Sequence, residues 1–144
     1  MPARQGMTGP AKPTRKSAPF PFIVEGLAPL EPEVGHMFSG FAVYVGEKIV
    51  LMLRESQKQP EDNGVWLVFS ETADLADPRI RQDFSSLRLI KLLGGKIGHW
   101  RLIPSDSPTF ESEALHACER LLKHDIRFGR VPQSRQARPS KRRN

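Results

Sequence analysis

Cysteine is nearly absent from the chain, since Cys118 is the single cysteine among 144 residues. One thiol cannot close a disulfide within the chain or supply a metal site that needs several cysteines. Long apolar runs are also absent, because no stretch approaches the roughly 20 residues that span a bilayer. Residues 1–24 lack the apolar segment of a secretory signal peptide. These absences predict a soluble, cytoplasmic protein with no membrane partner.

Acidic residues are missing from both ends of the chain. Residues 1–24 carry a net charge of +4 and residues 127–144 a net charge of +7, whereas the part between them carries −5. Both ends are poor in apolar residues, so they cannot bury enough surface to offset the entropy lost on ordering. We therefore predict a disordered basic tail at 1–21, a folded domain at 22–126 and a second disordered basic tail at 127–144.

The most apolar part of the sequence predicts two central strands. Phe38–Val45 and Ile49–Arg54 are rich in β-branched and aromatic residues, which favours strands. Gly46-Glu47 between them fits a two-residue type II′ turn, which needs glycine at its first central position. Apolar and polar residues alternate poorly on both arms, a pattern typical of strands that are buried on both faces.

The remaining elements complete an α+β domain. Further strands are predicted at 65–69, 87–93 and 99–104, the last two joined by a glycine-rich hairpin turn. A short helix is predicted within 22–30. Asp77-Pro78 and Ser107-Pro108 each combine an N-cap acceptor with a proline at the first helical position. An apolar stripe at helical spacing follows the second of these starts: Phe110, Ala114, Leu115, Cys118, Leu121 and Leu122. The expected fold is a mostly antiparallel five-stranded sheet with packed helices.

No catalytic residue, cofactor or metal site is predicted. Cys118 lies on the apolar stripe, whereas a reactive thiol needs exposure and positive neighbours, so we interpret it as a core residue. The four histidines lack the spacing of two ligands on one helix face. The aspartates within 74–83 are assigned to an N-cap and a solvated face. Trp66 and Trp100 are predicted to pack against the helices.

The basic ends are the one feature that predicts a class of partner. Cations without acidic neighbours attract phosphate backbones in a manner that depends on salt and not on base sequence. The candidate nucleic-acid-binding residues are Arg135, Arg138, Lys141, Arg142 and Arg143. The competing interpretation is that such tails only aid solubility.

Four segments resemble the N-terminal domain of the TfoX/Sxy family. They are Leu27-Ala28-Pro29-Leu30, Met37-Phe38-Ser39-Gly40, Val43-Tyr44-Val45 and Ile49-Val50-Leu51-Met52-Leu53. The later strand and helix, at 100–103 and 108–123, are similar to the end of the related MmcQ/YjbR-like fold. The resemblance implies an antiparallel α+β domain linked to the regulation of competence and transcription, without catalytic residues. Ser39 stands where the family usually has the first glycine of a pair, and the family's C-terminal domain does not follow.

The same resemblance suggests where a shared family site would lie, namely the turn around residues 36–40. The motif residues are His36, Met37, Phe38, Gly40 and Tyr44. Gly40 is expected where a side chain would clash or where φ is positive. Phe38, Phe41, Tyr44 and Leu51 are predicted core residues.

Two functional hypotheses follow. The first is a non-enzymatic regulatory or binding module whose body contacts a protein and whose tails contact nucleic acid. The alternative is a small-molecule-binding domain or small enzyme with a pocket beside the sheet, using His36, Tyr44 or His99 as polar groups. A homodimer formed through an exposed strand edge is a further option.

Overall fold

The computed structural model describes residues 18–92 and 98–132. Five strands form one sheet: β1, Glu33–Met37; β2, Gly40–Val45; β3, Lys48–Arg54; β4, Gly64–Val68; and β5, Trp100–Pro104. They are antiparallel neighbours in chain order. Three α-helices accompany them in the described residues: α1, Pro21–Gly26; α2, Pro78–Asp83; and α3, Phe110–Leu122. The predicted α+β class with a five-stranded antiparallel sheet is confirmed.

The two central strands have the predicted positions. β3 lies in the middle of the sheet, and all of its residues after Lys48 are buried. Gly46, between β2 and β3, has a φ of +62°, which suits the first central position of the predicted turn. A strand with neighbours on both sides and cover on both faces has no exposed side, which explains the continuous apolar run in its sequence.

One face of the sheet, here called the helix face, is covered by α1 and α3. Ile23 of α1 is fully buried there, and so are Leu51 and Leu67 of the sheet. A helix as short as α1 is marginal by itself, so its stability depends on this packing.

α3 contributes Ala114, Cys118 and Leu121 of the predicted apolar stripe to the same face. The prediction is wrong for Leu115 and Leu122, which are 48% and 37% exposed.

The opposite face, here called the tryptophan face, has its own apolar cluster. Trp66 and Trp100 lie in it together with Met52 and Leu102, and Ile90 covers them from outside the sheet. The prediction that both tryptophans pack against the helices is wrong. Successive side chains of a strand point to opposite faces, and the register places both indoles on the side away from α1 and α3.

The predicted strand at 87–93 is wrong. In its described part, Arg88 alone joins the sheet, through two backbone hydrogen bonds with Leu102 of 2.9 and 2.8 Å. The N–H groups of Lys91 and Leu92 then donate to the carboxylate of Asp62. These bonds replace a strand ladder, so the segment lies across the edge of the tryptophan face.

The strand that sequence reasoning missed is β1. It forms an outer edge of the sheet, and Val34 and His36 in it are exposed. An exposed edge strand buries little apolar surface, so it lacks the apolar run that marks β2 and β3. The predicted pairing of such an edge with a second copy of the chain stays a prediction.

Both predicted helix starts are close to the observed ones. The Asp77 carboxylate accepts a hydrogen bond from the N–H of Arg79 at 2.9 Å, so Asp77 is the N-cap of α2 as predicted. Hydrogen bonds from Arg79 also lower the pKa of this carboxyl to about 2. α3 begins at Phe110 and not directly after Ser107, because the Ser107 hydroxyl caps the N–H of Thr109 in the preceding turn.

Candidate functional site

The turn between β1 and β2 is held in an unusual backbone conformation. Phe38 and Ser39 have φ angles of +50° and +66°. Left-handed backbone is the form that a two-residue hairpin turn needs, and it is normally supplied by asparagine and glycine. A bulky residue in this region is a genuine outlier. The turn therefore places a phenylalanine where the conformation alone would favour another residue.

The Phe38 side chain lies on the tryptophan face and is 49% exposed. Its ring centroid is 6.4 Å from Trp66 and 6.4 Å from Trp100, and the two indoles are 6.1 Å apart. The prediction of Phe38 as a core residue is therefore wrong, because the turn holds the ring over the outside of the cluster. Both tryptophans are buried beneath it, so Phe38 is the most exposed aromatic group of this cluster in the described residues.

Gly40 is required by close approach of the backbone. It is buried, and a Cβ atom added there would lie 2.6 Å from the carbonyl oxygen of Leu53 and 2.8 Å from Cε of Met52. The predicted clash is confirmed as the reason for glycine, and Gly40 is not among the residues with positive φ.

The buried side chain of Arg54 binds the backbone of the turn between β1 and β2. It is 1% exposed, and its Nη1 and Nη2 groups donate to the carbonyl oxygens of Phe38 at 3.3 Å and Gln59 at 3.0 Å. Its Nε has no hydrogen-bond partner in the described structure. A buried guanidinium held by carbonyl groups alone is uncommon, and its only signal in the sequence is an arginine at the end of an apolar strand.

The other motif residues are divided between the two faces. Met37 and Tyr44 pack partly buried against the tryptophan-face cluster. His36 is exposed on the other side of β1, with its ring 4.7 Å from that of Phe41. The structure thus brings Met37, Phe38 and Tyr44 to one surface and leaves His36 on the other.

The polar groups of the pocket hypothesis do not line the cavities described here. One apolar cavity of about 320 Å³ lies between the end of α3 and the turn after β2, with Val45, Leu121 and Phe128 among its lining residues. The lining of this cavity, and of the two that contain arginines, does not include His36, Tyr44 or His99. His99 contributes its carbonyl oxygen to the N–H of Phe69 at 2.8 Å.

Asp83 is the centre of a charged cluster that sequence reasoning missed. Its carboxylate is 3.3 Å from Nε2 of His116 and 3.1 Å from Nη2 of Arg120. Arg127 lies 3.8 Å away on the same side. The assignment of Asp83 to a solvated face is wrong, since its side chain is 16% exposed. The (i, i+4) spacing of His116 and Arg120 was the one available signal.

Cys118 is buried as predicted, with an exposure of 3%. Its thiol donates to the carbonyl oxygen of Ile23 at 3.6 Å, and burial raises the pKa of the thiol to about 11. A thiol becomes reactive as its thiolate. The described environment therefore favours the unreactive form.

Native Cys118 is expected to react with a thiol-specific disulfide reagent at pH 8 at least tenfold more slowly than the unfolded chain. The unfolded thiol ionises near its ordinary pKa of about 8.5, so protonation and burial both protect the folded form. The raised pKa also makes folding stability fall between about pH 9 and pH 11, because only the unfolded chain releases the proton there. Equal reaction rates of Cys118 with and without denaturant would contradict its assignment as a buried, protonated thiol. Cys118→Ala has no thiol and therefore gives the background rate of the reagent.

The folded body extends past the predicted boundary at residue 126. Phe128 is buried, with its ring 5.0 Å from that of Phe69, and Arg130 exchanges two backbone hydrogen bonds with Ile49, of 2.9 and 3.2 Å. Predicted disorder is therefore wrong for 127–130, because Phe128 provides apolar surface to bury. At the other end, predicted disorder is wrong for residues 20 and 21, because Phe20 packs on Phe110 with ring centroids 5.0 Å apart and α1 begins at Pro21. Residues 1–17 and 133–144 lie outside the described residues.

The first two arginines after residue 126 are paired with acids of the body. Nη2 of Arg127 is 2.7 Å from the carboxylate of Asp125, and hydrogen bonds from Arg127 lower the pKa of that carboxyl. Nη2 of Arg130 is 2.6 Å from Glu71. The five predicted nucleic-acid-binding residues, Arg135, Arg138, Lys141, Arg142 and Arg143, lie outside the described residues.

The described part of the chain holds neither a cluster of metal ligands nor a membrane-spanning helix. Within residues 18–92 and 98–132, no three His, Cys, Asp or Glu side chains are grouped as metal ligands would be. In the same ranges, every helix is too short or too polar to cross a membrane. Comparison with protein-family models, with curated proteins and with solved structures found no match to this chain.

Proposed function

We propose that this chain is a non-enzymatic binding module of the cytoplasm. It holds nucleic acid mainly through its cationic C-terminal segment, residues 135–143. The folded body serves as the platform that carries this segment and contacts a protein partner. The resemblance to the N-terminal domain of the TfoX/Sxy family supports a regulatory role of this kind. The alternative, a small-molecule-binding domain or enzyme, has no support from its three candidate polar residues, because they line other surfaces than the described cavities.

The observation that carries the proposal is the separation of charge along the chain. Residues 25–132, which include Arg127 and Arg130, have a net charge of −3, so the overall charge of the body does not favour a polyanionic phosphate backbone. The structure pairs Arg127 with Asp125 and Arg130 with Glu71, which leaves the five cations between 135 and 143 with no acid near them in sequence. Attraction to a phosphate backbone is therefore expected to come mainly from these five side chains, with a smaller share from the four cations of residues 1–24, which also have no acid near them in sequence.

Replacing all five by glutamine is expected to reduce the salt dependence of binding to duplex DNA. The slope of log K against log salt should become less steep by about 4 to 5, because each phosphate contact contributes about 0.9. Fluorescence anisotropy with the full chain, between about 50 mM and about 200 mM salt, measures this slope.

Arg130→Gln is the matched control, since it removes one cation that Glu71 already pairs. Its slope should equal that of the unaltered chain. An unchanged slope in the five-residue variant, or an absence of binding by the unaltered chain at the lower salt concentration, would rule out the proposed interface.

A further inference from the structure

A second arginine-rich feature lies in the folded body, at the outer edge of β5. It is a recess of about 220 Å³ between α2, residues 87–89 and β5, lined by Arg81, Arg88 and Arg101. Its other lining residues are apolar and include Ile80 and Leu87, which are 3% and 7% exposed. The recess shares no residue with the cationic C-terminal segment.

The guanidinium groups of Arg81 and Arg101 are held by backbone carbonyls. Nη1 of Arg81 donates to the oxygen of Leu87 at 2.8 Å, and Nη1 of Arg101 donates to the oxygen of Gly98 at 2.8 Å. In the described structure neither group contacts a carboxylate. These bonds fix the two side chains while their remaining N–H groups stay available, and the planar arginine fork suits two oxygens of one anion.

Arg88 is the only one of the three with an acidic partner among the described residues. Its Nη1 lies 3.3 Å from the buried carboxylate of Asp62. The three arginines that line the recess therefore share a single carboxylate partner in the described structure, which leaves an excess of two positive charges.

In a neighbouring cavity, by contrast, each of the three lining arginines is paired with a carboxylate. It has a volume of about 510 Å³ and is lined by Arg79, Arg120 and Arg127. Each of these pairs with a carboxylate, of Asp77, Asp83 and Asp125 respectively. Three acids balance three cations there, so an incoming anion would gain little.

We propose that the recess lined by Arg81, Arg88 and Arg101 binds a phosphate dianion, either free or as the terminal group of a small phosphate monoester. An anion of charge −2 matches the excess of two positive charges. The volume lies below the roughly 300 Å³ at which pockets for drug-sized molecules begin, so it suits a small group and not an extended ligand.

The surroundings of the arginines strengthen the attraction. Burial lowers the pKa of the Arg101 guanidinium, and its hydrogen bonds in the described structure go to the backbone oxygens of Gly98 and Trp100. The buried side chains of Ile80 and Leu87 lie beside it in the lining, and charge-assisted hydrogen bonds are stronger next to such a low-dielectric surface. A bound phosphate would give Arg101 the anionic partner that it lacks among the described residues.

Isothermal titration of the full-length chain with inorganic phosphate and with phenyl phosphate, at constant ionic strength, tests the site. We expect saturable binding of at least one, with Arg81→Gln and Arg101→Gln each weakening it by about tenfold or more. Arg79→Gln, two residues from Arg81 on the same helix but paired with Asp77, should leave it unchanged. Tighter binding of phenyl phosphate indicates a monoester as the ligand, and tighter binding of inorganic phosphate indicates the free ion.

Circular dichroism checks that each variant is folded. If Arg81→Gln unfolds, Arg101→Gln and the charge-preserving Arg101→Lys carry the test, and the lysine variant should retain more affinity than the glutamine variant. The absence of saturable binding of both anions, or an equal loss in Arg79→Gln, overturns the proposal. The variant lacking the five C-terminal cations should still bind phosphate, so this inference and the proposed function can fail separately.

Discussion

Asp62→Ala is expected to lower the free energy of unfolding by about 2 to 3 kcal/mol, because two backbone donors lose a buried acceptor. Asp62 is 2% exposed. Its carboxylate accepts hydrogen bonds from the N–H groups of Lys91 and Leu92 and from Nη1 of Arg88. Alanine leaves the two backbone donors without their acceptor, whereas Arg88 keeps its hydrogen bonds to the backbone oxygens of Glu61 and Leu89.

The loss should also be visible in the tryptophans. The segment anchored by Asp62 includes Ile90, which covers the cluster of Trp66 and Trp100. The backbone oxygen of Asp62 accepts from Nε1 of Trp66 at 2.9 Å, so a shift of the Asp62 backbone reaches the indole directly. We expect a red shift of native fluorescence in Asp62→Ala, along with a lower denaturation midpoint.

Asp74→Ala is the matched control. Asp74 is exposed, and its carboxylate accepts one hydrogen bond, from the N–H of Ala76 at 3.0 Å. Its loss should change stability by no more than about 1 kcal/mol. Equal effects of the two substitutions in urea denaturation would show that the segment from 88 to 92 is held by its apolar contacts and not by Asp62.

The sequence predicts an element correctly where the signal for that element lies within its own segment. The apolar runs of β2 and β3, the N-cap at Asp77 and the stripe of α3 all carry local signals. The run at 87–93 also looked like a strand, and that prediction failed because its backbone donors bind Asp62, a residue more than twenty positions earlier in the chain. A pattern confined to a short window cannot contain such a contact.

The candidate surfaces were less predictable, for the same reason. Gly40 was correctly expected to avoid a clash, because glycine within a strand often marks a close approach of another backbone segment. The exposure of Phe38 depends on the left-handed backbone of its turn, which its own residue type disfavours. The recess of three arginines joins residues from α2, from the segment after it and from β5, and their lack of acidic partners emerges only once the chain is folded.

Gly40→Ala is expected to destabilise the chain by about 3 kcal/mol, the upper part of the usual range for overpacking. A Cβ atom at this position meets the Leu53 carbonyl oxygen at 2.6 Å. That oxygen belongs to the backbone of β3, so it can move only if the central strands separate or the turn around Phe38 shifts. Urea denaturation measures the change.

Two further variants test whether the destabilisation comes from a clash, and whether the clash is with the Leu53 carbonyl oxygen or with Met52. Gly35→Ala, on the adjacent strand, adds a Cβ atom that meets nothing within 4 Å, so it should be neutral or stabilise by up to about 1 kcal/mol. The Cε atom of Met52, 2.8 Å from the added Cβ atom, is the flexible end of a side chain. If the carbonyl is the obstacle, the effects of Gly40→Ala and Met52→Ala should be nearly additive. If Met52→Ala abolishes the destabilisation caused by Gly40→Ala in the double variant, the clash is with the Met52 side chain. In that case the distance between β2 and β3 is not the reason for glycine at position 40.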